Sequence, residues 1–197
     1  MRKQKIKEML FWGFLFTGFA AGVLFVNLWG NTYLGDISIF GPEQMKTVAG
    51  LETDPGELFR YLVFERAKGI LLLWLLGYTV AGIPAALFTF GWLGAAAGIL
   101  LSTCIIEMRL AGIIVFLTAL LPQWLVYMPM IWMLCTQIYD KGIVRYQKGR
   151  YFDNWEKEKQ YLSILLLTAA LLAAGAVLET FASPWLMRQV VNFFYNL

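Results

Sequence analysis

Few residues of this chain could take part in chemistry, and the first to consider are two carboxylates within apolar sequence. Glu107 and Glu179 each lie at the end of a long uncharged run. An ionisable group near membrane depth is a functional candidate, because its burial in lipid costs free energy. The alternative is an interfacial carboxylate that is hydrogen-bonded or paired with Arg109 or Arg188. The sequence leaves both interpretations open.

No grouping of residues in the sequence supports catalysis. The chain has no histidine, which removes the commonest general base and the commonest metal ligand. Its cysteines, Cys104 and Cys135, lie in separate apolar runs, so we expect buried free thiols rather than a disulfide or a zinc site. We therefore predict that the protein is not an enzyme and needs no cofactor or metal. An intramembrane enzyme, with paired catalytic groups in one cavity, is the least favoured hypothesis.

The composition indicates that a lipid bilayer surrounds the chain. Of 197 residues, 59% are hydrophobic and 15% are charged, against about 45–50% and about 25% in soluble domains. The mean hydropathy is +0.63. The net charge of +3 is small, and the basic residues lie at the edges of apolar runs instead of forming a dense basic face. This distribution argues against a nucleic-acid partner.

The apolar runs predict an all-α integral membrane protein, a bundle of about five transmembrane helices in one membrane domain over 1–197. The predicted spans are 9–29, 69–89, 91–106, 110–134 and 161–182. A helix over the 38 uncharged residues 69–106 would be about 57 Å long, too long for one crossing. We therefore expect a turn near Phe90-Gly91-Trp92, with Pro84 kinking the span before it.

The fourth predicted span contains two prolines, Pro122 and Pro129. Each proline removes a backbone donor and frees a carbonyl that lipid cannot satisfy. We therefore predict that this helix is kinked or broken against its neighbours. Gln123 could supply a hydrogen bond to a freed carbonyl.

A small-residue motif and a pair of charged residues precede that span in the sequence. Gly94 and Gly98 form a GxxxG motif, which lets two helix backbones approach closely in lipid. Packing within the chain is the favoured interpretation, and a dimer face is the alternative. Glu107 and Arg109 are expected to cap a short hairpin and to pair with each other or with water.

The remaining segments are more polar. In the extracytoplasmic segment 30–68, Asp54-Pro55-Gly56-Glu57 predicts a helix start with Asp54 as the N-cap. That helix is either a surface helix in the interface or a partner-docking surface. Residues 135–160 are predicted to be a cytoplasmic loop. The residues after Pro184 are predicted to form an interfacial helix.

The distribution of basic residues predicts the orientation. With five spans and a cytoplasmic N-terminus, ten basic residues lie inside and six lie outside, in agreement with the positive-inside rule. The protein is thus predicted to be a multi-pass membrane protein with an extracytoplasmic C-terminus. A four-span arrangement, with 110–139 as a re-entrant hairpin, is a lower-ranked alternative.

Three stretches carry a resemblance to a known family. They are Gly69–Pro84, the glycine-rich span followed by Leu121-Pro122-Gln123, and Leu178-Glu179-Thr180-Phe181-Ala182-Ser183-Pro184. Together with the order of the apolar runs, they resemble the stage II sporulation protein M family over nearly the whole chain. One departure is Trp124, where many members have a polar residue, and it puts a polar network around Gln123 in question.

The resemblance implies a polytopic bacterial membrane protein that helps the mother-cell membrane migrate around the forespore during engulfment. It also implies a membrane scaffold for cell-wall hydrolases, the stage II sporulation proteins D and P. Besides these hydrolases, the expected partners are the lipid bilayer and, as a further option, other copies of the chain. Family members also occur in bacteria that do not sporulate.

A second hypothesis is a permease or transporter subunit that works with a cytoplasmic ATPase. It is motivated by Pro122, Gln123 and Pro129, because discontinuous helices often build substrate sites at the bilayer midplane. The residues singled out as packing or interaction candidates by either hypothesis are Pro84, Gly94, Gly98, Glu107, Arg109, Pro122, Gln123, Pro129, Glu179, Ser183 and Pro184.

Overall fold

The described part of the chain consists of helices and the short turns between them. A computed structural model describes residues 2–33, 54–79, 81–148 and 155–195. These residues form α1 (Arg2–Tyr33), α2 (Pro55–Leu76), α3 (Gly82–Met108), α4 (Leu110–Lys148) and α5 (Trp155–Tyr195). The predicted all-α fold is confirmed for these ranges.

Within the described ranges, three helices are long and apolar enough to cross a membrane. Their apolar spans are Gln4–Gly30 in α1, Gly82–Met108 in α3 and Tyr161–Phe181 in α5. A fourth span results if the two parts of α4, Leu110–Thr118 and Gln123–Ile143, count as one crossing. Several apolar helices indicate a multi-pass membrane protein, whereas the predicted count of five spans is not confirmed.

The start of α2 is the one that the sequence predicts. The Asp54 carboxylate accepts a hydrogen bond from the Gly56 backbone N–H at 2.9 Å, and Pro55 is the first helical residue. A proline is well suited to this position because its missing N–H would have no partner within the helix. α2 then carries charge as far as Lys68 and becomes apolar from Gly69 to Leu76.

The turn after α2 comes earlier than predicted. α2 ends at Leu76, the turn includes Gly77 and Thr79, and Phe90-Gly91-Trp92 lie within the continuous helix α3. The Thr79 hydroxyl donates to the Leu76 carbonyl at 2.8 Å and helps to end the helix there. The predicted limits 69–89 and 91–106 are therefore wrong, because an uncharged sequence does not show where its helices separate.

Pro84 has a different role from the predicted kink. It lies in the first turn of α3, three residues after the N-cap residue Ala81. Backbone N–H groups of a first turn have no partner within their helix, so proline causes no loss of hydrogen bonding there.

α4 is kinked, as predicted. Its axis bends by 59° between Thr118 and Gln123, and Pro122 lies in the connecting residues. The Pro122 side chain is outside the described residues. Pro129 lies on the exposed side of the second part of α4. The four-span alternative with a re-entrant hairpin at 110–139 is thus one interpretation of this bend, and a broken span is the other.

α4 also extends farther than predicted. It continues to Lys148, and Cys135, Ile138 and Gly142 are buried against the other helices. The predicted loop 135–160 is therefore wrong for 135–148, where the apolar spacing continues past the first charged residues. Cys104 and Cys135 are free, buried thiols, as predicted.

α5 is one continuous helix through the predicted interfacial tail. It begins at Trp155 and ends at Tyr195, so the structure contains no separate C-terminal helix within the described range. Ser183 and Pro184 lie within α5, but their side chains are outside the described residues. Residues 34–53 of the predicted extracytoplasmic segment are also outside.

Successive helices alternate in direction. Gly18 and Gly22 of α1 lie against Gly91 and Ala95 of α3, so α1 and α3 run parallel. Other neighbouring contacts are antiparallel, for example Gly112 of α4 beside the Cys104 backbone of α3.

α2 and α5 are also antiparallel. Trp74 stacks on Tyr161, and Arg66 pairs with Glu179. Because residue numbers fall along α2 as they rise along α5, the two helices run in opposite directions. α2 therefore contacts α5 both near Tyr161 and near Glu179.

The contact between α1 and α3 is a close approach of backbones. A Cβ atom on Gly94 would overlap the Leu15 carbonyl oxygen, and one on Gly98 would overlap that of Phe19. Glycine removes this obstacle, and close backbone contact is a main source of helix association in lipid. The GxxxG motif thus packs within the chain, in agreement with the favoured interpretation.

Among the described residues, the largest buried cluster lies where the five helices meet. Phe11 of α1 stacks on Phe90 of α3 with ring centroids 4.7 Å apart. Other members of the cluster are Leu15, Leu73, Ala86, Leu134, Cys135, Ile138 and Tyr161. This cluster fixes one end of the bundle, and the polar cluster described below fixes the other.

Gly94→Ala is expected to destabilise the protein by about 1–3 kcal/mol, the usual cost of overpacking. The added Cβ must separate α1 from α3 at the Leu15 carbonyl. Reversible unfolding in mixed micelles would measure the change. The control is Gly69→Ala, since a Cβ at Gly69 meets nothing within 4 Å. Equal stability of the two variants would contradict the close α1–α3 contact.

Candidate functional site

A polar cluster centred on Glu179 joins three helices. Glu179 is only 8% exposed. Its Oε1 accepts hydrogen bonds from Gln123 Nε2 at 2.8 Å and from Arg66 Nη2 at 3.2 Å. Its Oε2 accepts from the Tyr127 hydroxyl at 3.0 Å. We call Arg66, Gln123, Tyr127 and Glu179 the Glu179 cluster.

The spacing of α5 places Glu179 on the buried face. The buried residues of this helix recur at helical intervals and are Tyr161, Thr168, Leu172, Gly175, Ala176, Glu179 and Thr180. Since residues three and four apart lie on one side of a helix, Glu179 continues an otherwise apolar or small-residue stripe. A carboxylate in that position needs partners on the neighbouring helices.

α4 supplies two of these partners from adjacent turns. Gln123 and Tyr127 are four residues apart, so both side chains face α5. Gly175 makes room for the Tyr127 ring, because a Cβ there would lie 2.8 Å from Tyr127 Cε1. The straight second part of α4 starts at Gln123, just after the bend, and its first turn lies at the level of Glu179.

α2 supplies the positive charge. The Arg66 side chain is 42% exposed, and its guanidinium carbon lies 4.9 Å from the centroid of the Tyr127 ring. The apolar residues Val63, Ala67 and Ile70 pack beside it against Tyr127, Met130 and Leu172. Arg66 thus closes the cluster at its open side and holds α2 against α4 and α5.

The geometry suits a structural tie better than a reaction centre. The two oxygens of Glu179 accept three hydrogen bonds, and Arg66 balances its charge. No group of three or more His, Cys, Asp or Glu that could hold a metal occurs among the described residues. A paired and hydrogen-bonded charge can be kept inside a bundle, whereas removal of one partner is costly.

The structure unites two of the predicted site residues and corrects their expected partners. Glu179 pairs with Arg66 and, among the described side chains, not with Arg109; the Arg188 side chain is outside the described residues. Gln123 donates to Glu179 instead of to a freed backbone carbonyl. A polar network around Gln123 is present even though Trp124 follows it in the sequence.

Glu107 and Arg109 lie away from this cluster, at the hairpin between α3 and α4. Arg109 is the only residue between these helices and has φ 52° and ψ −128°. Its N–H donates to the Ile105 carbonyl at 2.8 Å. This positive φ is unfavourable for a residue with a Cβ and costs roughly 1–3 kcal/mol, so the surrounding packing must hold the hairpin.

A second group of charged residues lies at the opposite end of the bundle. Lys7 Nζ of α1 contacts both carboxylate oxygens of Asp140 of α4, at 3.0 and 2.9 Å. The neighbouring Lys141 lies over the Tyr161 ring, with Nζ 3.1 Å from the centroid. The Tyr161 hydroxyl donates to the Trp74 carbonyl at 2.8 Å. These contacts fasten the N-terminus and the end of α2 to α4 and α5.

Tyr161 and Glu179 mark the two polar groups along α5. They are separated by 18 residues, or about 27 Å of helix. That distance is close to the thickness of the hydrocarbon core, about 30 Å. The apolar span of α5 thus lies between two groups of charged side chains.

The sequence comparison identifies the family. The profile of the family described as Stage II sporulation protein M matches residues 11–184. The chain belongs to this family. The match includes Gln123, Tyr127 and Glu179 as well as Arg66. Comparisons with curated proteins and with solved structures gave no match.

Five of the residues that make these polar contacts were not among the predicted site residues. They are Arg66, Tyr127, Lys7, Asp140 and Lys141. Tyr127 could have been found from its spacing, since it lies one helical turn after Gln123. Arg66 lies beside the apolar positions of α2, and this spacing suggests a charged residue at the edge of a buried face. The other three required knowledge that α4 extends beyond residue 134.

Glu179→Gln is expected to lower the free energy of unfolding by about 1–3 kcal/mol, because three hydrogen bonds lose their charged acceptor. Unfolding in mixed micelles would measure it. The control is Glu65→Gln, which removes an exposed pair with Lys68 and should change stability by about 0.5 kcal/mol or less. Equal effects of both substitutions would show that the Glu179 cluster is not a structural tie.

Proposed function

We propose that this chain is a membrane scaffold, or assembly factor, for a cell-wall-remodelling complex that acts in sporulation engulfment. It would recruit peptidoglycan hydrolases of the type of stage II sporulation proteins D and P. Membership of the Stage II sporulation protein M family supports the connection with sporulation. The observation that carries the scaffold proposal is the attachment of α2 to the bundle by the Glu179 cluster.

That attachment leaves one face of α2 available to a partner. Tyr61 is 65% exposed and Phe64 is 68% exposed. Arg60 and Glu65 are exposed beside them. Aromatic and arginine side chains are common anchors of protein interfaces. We call Arg60, Tyr61, Phe64 and Glu65 the α2 docking face.

The Glu179 cluster keeps this face in one position. Arg66, on the same helix, reaches both Glu179 and the Tyr127 ring. A partner that binds a fixed helix does not pay the entropy of ordering it, which favours affinity. The docking face would thus hold a hydrolase at a set place beside the membrane.

The proposal includes a topology of five crossings. Alternating helix directions, and the contacts of α2 with α5 near both Tyr161 and Glu179, support α2 as a crossing in spite of its charges. The N-terminus would be cytoplasmic and the C-terminus extracytoplasmic, because ten of the basic residues then lie inside and the other six lie outside or within α2. The α2 docking face would lie toward the extracytoplasmic side, where the cell wall is.

The permease hypothesis is less favoured. It depends on a broken α4 that opens a polar site at Gln123. The Gln123 amide instead donates to Glu179, and the Tyr127 hydroxyl and Arg66 complete the contacts of that carboxylate. The polar groups beside the bend are therefore used within the bundle.

Replacing the aromatic residues of the α2 docking face should prevent recruitment. In Tyr61→Ala/Phe64→Ala, we expect recovery of the D- and P-type hydrolases with the tagged full-length chain to fall about tenfold, as for loss of interface anchors. Affinity purification from membranes of sporulating cells, with quantitative mass spectrometry, would measure the recovery. Engulfment should be delayed in the same cells.

The matched control is Phe181→Ala, since Phe181 of α5 is 63% exposed but lies outside the docking face. It should retain hydrolase recovery and engulfment, with membrane levels checked by immunoblot for every variant. Absence of both hydrolases from the purified parent chain, together with normal engulfment after its deletion, would overturn the scaffold proposal. Reconstituted solute flux would favour the permease instead.

A further inference from the structure

An apolar groove of about 620 Å³ runs along the outside of α1 and α3. Its walls include the aromatic rings of Phe14, Phe88 and Trp92. Its floor is made of small residues, among them Gly18, Ala21, Gly91 and Ala95. The groove thus lies on the two parallel helices whose backbones approach each other closely at Gly18 and Gly91.

The groove lies near the middle of the bilayer. Thr17 is the central residue of the apolar span Gln4–Gly30 of α1. The central residue of the span Gly82–Met108 is Ala95, and Trp92 lies three residues, or about 4.5 Å, before it. The contact of Gly18 with Gly91 aligns the two helices at this level.

Trp92 is an unusual residue for this depth. Its side chain is 66% exposed, whereas tryptophan normally lies at the membrane interface, where its N–H can meet water or lipid headgroups. No hydrogen bond from the Trp92 indole is present within the described residues. Acyl chains have no acceptor at the midplane, so an indole N–H directed into lipid there is left unsatisfied.

An acceptor of matching depth lies in the same groove. The Thr17 hydroxyl donates to the carbonyls of Gly13 and Phe14, at 2.9 and 3.1 Å. Its oxygen retains capacity to accept a hydrogen bond. Trp92 and Thr17 are thus a donor and an acceptor at nearly equal distance from the membrane surfaces.

α1 also presents a surface suited to another helix. Gly13, Thr17 and Ala21 are exposed and four residues apart, so they form a small-residue stripe on one side of α1. A Cβ on Gly13 would meet nothing within 4 Å, which shows that this part of α1 has no neighbour within the described chain. Such stripes permit close helix approach in membranes.

We propose that this groove is the contact surface of a symmetric dimer, in which Trp92 of each copy donates its indole N–H to Thr17 of the other copy. Two copies inserted in the same direction and related by an axis along the membrane normal keep equal depths in contact. Trp92 and Thr17 meet this condition. A second copy therefore completes both grooves with one repeated contact.

The groove chemistry favours a second copy over a lipid chain. An acyl chain would fill the apolar volume but would leave Trp92 without an acceptor. A foreign transmembrane helix could satisfy Trp92, but the chain already carries a small-residue stripe and an acceptor at the required depth. The dimer is independent of the scaffold proposal, so its test needs no hydrolase.

Cysteine cross-linking in native membranes tests the contact. Ala21→Cys and Phe88→Cys, introduced separately into the full chain, should give disulfide-linked dimers on oxidation. Val177→Cys and Phe181→Cys on exposed positions of α5 should not. The parent chain, whose Cys104 and Cys135 are buried, is the blank. Absence of linked dimers at both groove positions would overturn the proposal.

A double-mutant cycle tests the hydrogen bond. Trp92→Phe keeps an aromatic ring and Thr17→Val keeps the branched shape, and each removes both symmetric bonds. Interhelical hydrogen bonds in membranes are worth about threefold each on average, so either substitution should weaken dimerisation roughly tenfold. The double variant should be little weaker than the single ones. Förster transfer between labelled chains, measured against the protein-to-lipid ratio, gives the constants.

Matched controls separate the bond from general effects. Trp185→Phe changes an exposed tryptophan of α5, and Thr118→Val changes a threonine that also donates to its own helix, at 2.8 Å to the Ile114 carbonyl. Both should leave the dimerisation constant unchanged. Additive effects of the two groove substitutions, or monomers at all protein densities, would overturn the proposal, and cross-links to a different protein would assign the groove to that partner.

Discussion

The Glu179 carboxylate is the constraint on which the arrangement of the helices depends. It is nearly buried, and α2 and α4 bring Arg66, Gln123 and Tyr127 to its two oxygens in place of water. Each of these contacts also fixes the position of a helix segment. Arg66 holds the charged half of α2 beside the bundle. Gln123 and Tyr127 fix the start of the straight part of α4, immediately after the 59° bend. The positions of α2 and of the part of α4 after the bend thus depend on one side chain of α5.

The other helices are held together by a different kind of interaction. α1 and α3 meet through glycine backbones, where Gly94 lies against the Leu15 carbonyl and Gly18 against Gly91. Since lipid provides little hydrophobic drive for association, close packing and hydrogen bonds must supply the stability. At the end opposite Glu179, the Lys7–Asp140 pair connects α1 to α4, and the stacked Trp74 and Tyr161 rings join α2 to α5. The bundle therefore has a polar tie at each end and backbone packing in between.

Much of the helical character could be predicted from the sequence, but the helix limits could not. The N-cap at Asp54 and the kink near Pro122 follow from local chemistry, because a capping carboxylate and a proline act on their own backbone. The turn at Gly77 does not, since residues 69–106 carry no charge that marks a boundary. Pro84 shows the same difficulty: a proline can kink a helix or begin one, and only the position of the preceding turn decides. For the site, Glu179 and Gln123 were identifiable as polar residues in apolar sequence. Their partner Arg66 was not, because its pairing depends on the direction of α2.

The contacts within the bundle also determine which surfaces remain for function. Glu179, Gln123 and Tyr127 are occupied by one another, so they offer little to a substrate or partner. Two surfaces are not occupied by contacts within the bundle. They are the exposed face of α2 around Tyr61 and Phe64, and the groove of α1 and α3 around Trp92. They lie on different helices and at different depths, since Trp92 is near the bilayer centre and the α2 face precedes the apolar half of its helix. A second copy in the groove would therefore leave the α2 face free. A dimer built in this way would present two docking faces, and two weak contacts with a multivalent partner can together bind far more tightly than either contact alone.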